Sequence, residues 1–80
     1  MTLTGGGVSL EFDTADAPTV RKAIARRYGR MRRRWLVLAA EVTFGGESFV
    51  FQNEWNDPCL ISRSAAGAEM LERIASDLSA

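Results

Sequence analysis

Two alternating runs separated by Gly45-Gly46 leave the middle of this chain little freedom. Leu36, Leu38, Ala40, Val42 and Phe44 alternate with Val37, Ala39, Glu41 and Thr43. After the glycines, Glu47, Phe49, Phe51, Asn53 and Trp55 alternate with Ser48, Val50, Gln52 and Glu54. Alternation at period two marks a half-buried strand. Two glycines between such strands suit a tight hairpin turn. A two-residue loop sets Phe44 opposite Glu47, and therefore Val42 opposite Phe49, Ala40 opposite Phe51 and Leu36 opposite Trp55. In that register the apolar sets of both strands share one face. A slip of one residue would scatter them, so the register is well specified.

The rest of the chain is read outward from this hairpin. Leu3 to Phe12 predicts one strand, with Val8, Leu10 and Phe12 alternating with Ser9 and Glu11, after an irregular start at Gly5-Gly6-Gly7. Asp13 to Pro18 predicts a turn and helix start, with Asp16 as N-cap and Pro18 in the first turn. The helix then carries Val20, Ile24, Tyr28 and Met31 on one side. Gly29 either interrupts its exposed face or stops it at Tyr28. Asp57-Pro58 predicts a turn, Cys59-Leu60-Ile61 a short fourth strand, and Ser62 or Ser64 the cap of a last helix from about Ala65 to Leu78. Leu71, Ile74, Ala75 and Leu78 share one side of that helix, and Glu69 and Arg73 form an i,i+4 pair. The expected order is β-α-β-β-(β)-α: one α+β domain over residues 1–80, a two-layer sandwich with an antiparallel sheet and helices on one face. The other sheet face, with Val37, Ala39 and Val50 among Glu41, Thr43, Gln52 and Glu54, is expected to meet solvent or a second copy of the chain.

Composition narrows the function. A chain of 80 residues has room for one modest core. There is no histidine, so a histidine general base, a Ser-His triad and a His/Cys zinc site are excluded, and no metal or cofactor is expected. Cys59 is the single cysteine and cannot form an internal disulfide. The longest apolar run, Trp35 to Ala40, falls far short of the roughly 20 residues that span a bilayer. Arg32-Arg33-Arg34 before that run bears a faint likeness to a twin-arginine signal. Its mid-chain position and the early stop at Glu41 argue against that, so the expected location is the cytoplasm.

Charge carries the functional signal. Net charge is zero, yet eight of the ten basic residues, Arg21, Lys22, Arg26, Arg27, Arg30, Arg32, Arg33 and Arg34, lie between positions 21 and 34 with no acid among them. At helical spacing Lys22, Arg26, Arg30 and Arg33 form one stripe away from the apolar side, flanked by Arg27 and Arg34. Arginine favours bidentate contact with carboxylates or phosphates. Uninterrupted like charges on a helix repel one another, which argues for a partner over a merely solvated face. Trp35, next to the run, is either a packed residue or, if exposed, a typical hot spot. A second candidate surface is acidic: Glu41, Glu47, Glu54 and Asp57 gather around the hairpin, as phosphate mimics or as solubilising edge charges. Phe49, Phe51 and Trp55 are assigned to the core rather than to base stacking.

The arginine segment Arg21 to Arg34, the acidic hairpin around Gly45-Gly46 and the lack of a catalytic set resemble the small phage-encoded anti-CRISPR proteins. The likeness is of kind, spans the whole chain and transfers no residue role. It implies a non-enzymatic inhibitor that binds a CRISPR effector complex and keeps it from its target DNA. Either the arginines dock on an acidic subunit or the acidic face occupies the basic DNA channel. The alternatives are a small nucleic-acid-binding or regulatory protein using residues 21–34, and a structural or assembly protein.

Overall fold

The structure, a computed structural model, describes residues 2–4, 9–37, 39–54 and 57–79, and the side chains of all of these except 2–4 and 54. The strands are β1 (Thr2–Thr4), β2 (Ser9–Glu11), β3 (Arg32–Trp35), β4 (Ala40–Phe44), β5 (Glu47–Glu54) and β6 (Asp57–Ser62); the helices are α1 (Ala17–Tyr28) and α2 (Ala65–Ser79). All six strands form one sheet in the order β1-β2-β6-β5-β4-β3, and every pairing is antiparallel. The α+β class is as expected, while the element order carries more strands than the sequence pattern suggested.

The central hairpin has the register that alternation dictates. Phe44 pairs with Glu47, Val42 with Phe49 and Ala40 with Phe51. Gly45 and Gly46 take φ of 57° and 80°, the doubly positive geometry of a tight hairpin turn. Ala40, Val42 and Phe44 are buried while Glu41 and Thr43 alternate with them half-buried. Phe44 stacks on Phe49 with ring centroids 4.2 Å apart and planes 6° from parallel. Leu10, Phe12, Leu60 and these hairpin residues form one core with Val20, Ala23 and Ile24 of α1 and Leu71 and Ile74 of α2. Both helices therefore cover the same sheet face.

Local chemistry sets the helix ends. Gly29, at φ 80° and ψ −143°, stops α1 at Tyr28, a conformation open almost only to glycine, and its N–H donates to the Ala25 carbonyl. Asp16 precedes α1, but its side chain makes no capping hydrogen bond, contrary to the expectation. A short 3-10 turn at Thr14–Asp16 leads into the helix instead, with the Asp16 N–H donating to the Asp13 carbonyl. Ser64 does cap α2: its Oγ accepts the Gly67 N–H at 2.9 Å. Gly67 also lets α2 lie close to the sheet, since a Cβ there would sit 3.3 Å from the Phe49 ring.

Four expectations are corrected. The single strand expected over Leu3 to Phe12 is two strands, β1 folding back on β2 with Leu3 opposite Leu10; Gly5-Gly6-Gly7 and Val8 lie outside the described residues. Asp57 and Pro58 are not a turn but begin β6, paired with Glu54 and Asn53. The helix does not carry Arg30, Arg33 or Arg34, because it ends at Tyr28 and Arg32–Trp35 form strand β3. Finally, Leu36 does not continue β4, which begins at Ala40. The chain reverses between β3 and β4, with the Leu36 N–H donating to the Ala39 carbonyl at 2.8 Å, and Trp35 pairs with Ala40; Leu38 and Trp55 lie outside the described residues. The same reversal removes Val37 from the open sheet face, where Val50 remains between Glu41 and Ile61.

Candidate partner-binding surface

The basic residues are divided between two elements that meet at Gly29. From α1 come Arg21, Lys22, Arg26 and Arg27; from the link, Arg30; and from β3, Arg32, Arg33 and Arg34. All eight are exposed. The expected helical stripe is thus a bent surface, a basic helix continuing into a basic strand at the edge of the sheet. The stop at Tyr28 is one of the two readings Gly29 allowed, whereas the strand beyond it went unread because arginines carry no apolar pattern to distinguish helix from strand.

Strand register sorts the β3 side chains. Arg33 and Trp35 oppose Val42 and Ala40, whose side chains are buried under the helices, so they lie on the helix side of the sheet. Arg32 and Arg34 oppose Thr43 and Glu41 and lie on the open side. Arg33 is among the residues around a small apolar recess beneath α1, together with Arg21, Met31 and Phe51. Its guanidinium sits 5.9 Å from the centroid of the Trp35 ring, within cation–π range.

Beyond the arginines, the chain presents apolar side chains to solvent. Trp35 is 69% exposed, Leu36 51% and Val37 97%. Leu36 and Val37 were expected in a strand, and nothing local in the sequence marks the reversal that exposes them: it lacks the glycine, proline or asparagine that usually signals a turn.

Arg27 differs from its neighbours. Its Nε and Nη2 donate to Asp77 Oδ2 and Oδ1, both at 2.7 Å, a bidentate clasp from α1 to α2. The hydrogen bonding holds the Asp77 carboxyl below the usual range and pushes the Arg27 guanidinium further up. Arg27 is therefore committed within the fold, which removes it from the expected docking set. The other ion pairs among the described residues, Arg63–Glu41 at 3.6 Å and Arg73–Glu69 at 2.9 Å, involve none of the remaining cations of residues 21–34, of which Arg26 lies near enough to Asp77 to help lower its carboxyl.

The acidic candidates are spread over three strands, with Glu54 and Asp57 opposite each other where β5 meets β6. Glu41 lies on the open side beside Arg63 and across from Arg34. Glu47 accepts a hydrogen bond from the Ser64 hydroxyl at the start of α2 and serves the fold. Asp57 is exposed at the start of β6, and the side chain of Glu54 lies outside the described residues. Among the described residues no three of Asp, Glu, Cys or His are grouped to hold a metal ion. Burial pushes the Cys59 thiol up, opposed by its hydrogen bond with Ser9, so the thiolate needed for nucleophilic chemistry is disfavoured. No described helix is long and apolar enough to cross a membrane.

No family model, curated protein or solved structure matches the chain.

Proposed function

We propose that this chain is a non-enzymatic binding protein whose α1–β3 surface holds an acidic face of a protein partner. The task in view is that of a phage-type inhibitor in the cytoplasm, which occupies a subunit of a CRISPR effector complex and blocks its target DNA. The observation that carries the reading is the exposed Trp35-Leu36-Val37 corner set beside the β3 arginines, which form no ion pair among the described residues. Interfaces concentrate their energy in aromatic and arginine side chains around a desolvated centre. A solvated basic face needs neither an exposed tryptophan nor an exposed valine.

The test mixes the protein with purified CRISPR effector complexes and follows co-elution. The double variant R26E/R30E is expected to abolish complex formation while its thermal midpoint stays within a few degrees of wild type. Full co-elution of that variant overturns the reading.

A second reading, nucleic-acid recognition, draws on the exposed Trp35 ring with Arg33 beside it, a pairing that stacks on bases as well as it docks on protein. Fluorescence anisotropy with duplex DNA and single-stranded RNA separates the two. Binding through several phosphates weakens roughly a thousandfold between about 50 and 200 mM salt.

A further inference from the structure

In an antiparallel sheet, opposed residues alternate between pairs that exchange both backbone hydrogen bonds and pairs that exchange none. The Leu36–Ala39 hydrogen bond fixes that alternation for β3: the bonded pairs are Arg34–Glu41 and Arg32–Thr43, and the others are Arg33–Val42 and Trp35–Ala40. The far side of β4 gives the same phase. The tight turn makes Phe44–Glu47 a bonded pair, so Val42 and Ala40 turn their backbone groups to β5, leaving Glu41 and Thr43 to serve β3. The N–H and C=O groups of Arg33 and Trp35 consequently point outward, and β3 is the last strand of the sheet.

We infer that β3 receives an extended acidic segment of a partner protein as a seventh strand. The inference rests on the reading of α1–β3 as the partner surface and adds the conformation of what binds there. The outward groups of Arg33 and Trp35 supply main-chain bonds, the interaction that gives strand addition its affinity. Arg32 and Arg34 on one face and Arg33 on the other select acidic side chains opposite them, as cross-strand pairs of opposite charge do.

Two other occupants fit less well. A second copy of the chain meets charge repulsion in the antiparallel registers that use the outward groups of Arg33, which set Arg33 across from Arg33 or Arg34 across from Arg34, and the register that avoids this matches only Trp35 with Trp35 within β3. Charges on an edge strand commonly serve only to block aggregation. An edge guarded for that purpose has no reason to expose Trp35 at 69% next to Leu36 and Val37.

The experiment is amide hydrogen exchange by NMR on the whole protein, with a capped eight-residue peptide of alternating Glu and Val as the probe. On binding, the Arg33 and Trp35 amides are expected to slow at least ~tenfold, while Arg32 and Arg34, already bonded to β4, change little. A peptide N-methylated at every residue keeps every charge but has no N–H to donate from either edge, and is expected to bind at least ~tenfold more weakly. Equal binding by that peptide, binding without protection at Arg33 and Trp35, or no binding at low salt each overturns strand addition. None of these outcomes touches the broader reading, which stands or falls on R26E/R30E and the effector complexes.

Discussion

The β4 strand takes part in two hairpins that are opposites in every respect but pairing. With β5 it joins through Gly45-Gly46 and buries Val42, Phe44 and Phe49. With β3 it joins through the apolar reversal at residues 36–39 and leaves Arg32 to Val37 in solvent. Burial fixes the first hairpin, because any slip of register would move its aromatic residues to the wrong face. The second gains little from burial. Its exposed residues are free to be chosen for what they meet outside the molecule. The buried residues thereby sit along one edge of a single strand and the exposed ones along the other.

Truncation on either side of β4 gives the sharpest test of that division. Phe49→Ala removes a fully buried ring stacked on Phe44 and is expected to cost about 3–5 kcal/mol in denaturant unfolding. Trp35→Ala removes a larger side chain, yet it is expected to stay within about 0.5 kcal/mol of wild type, since it is mostly in water. Under the proposed function its effect falls on partner binding. A multi-kilocalorie loss from Trp35→Ala would break the comparison by making β3 part of the stabilising core.

The turn of the first hairpin sharpens the same point within two residues. Both glycines have positive φ, so alanine at either is strained by about 1–2 kcal/mol. At Gly46 an added Cβ meets open space. At Gly45 it would lie 2.5 Å from Met70 Cε and 3.0 Å from Tyr28 Cδ1, which adds a smaller cost, since Met70 ends there in a flexible methyl group and the Tyr28 ring must give by a few tenths of an ångström. Gly45→Ala is therefore expected to lower the unfolding free energy more than Gly46→Ala, and equal losses would mean that Met70 and Tyr28 do not pack on the turn.

The two hairpins also explain how far the sequence could be read. The β4–β5 register, the Ser64 cap, the Glu69–Arg73 pair and the short strand holding Cys59-Leu60-Ile61 all follow from local patterns with a burial or hydrogen-bonding reason behind them. The β3 strand had no such pattern. Arg32 to Arg34 are exposed on both faces, so neither a two-residue nor a 3.6-residue period appears, and Leu36 and Val37 extend an alternation that the chain abandons. The basic cluster itself was evident from charge alone. Its place at a sheet edge depends on pairing with β4, and the withdrawal of Arg27 into the clasp with Asp77 on a contact fifty residues apart in sequence.

That clasp ties the basic helix to α2 and gives the smallest expected effect, readable through pH. Arg27 holds the Asp77 carboxyl below its unfolded value of about 3.9. A carboxyl depressed in the folded state stabilises it fully above the unfolded pKa, and the contribution fades as pH falls through the folded pKa. Both groups are substantially exposed, so the effect is small even for bidentate geometry. Asp77→Asn is expected to unfold slightly more easily than wild type at pH 7, with the difference closing as pH drops below 4 toward the folded pKa. Carboxyl NMR should place the Asp77 midpoint higher in Arg27→Ala than in wild type. An unchanged midpoint would mean that the clasp does not form in solution, which would return Arg27 to the proposed partner surface beside Lys22 and Arg26.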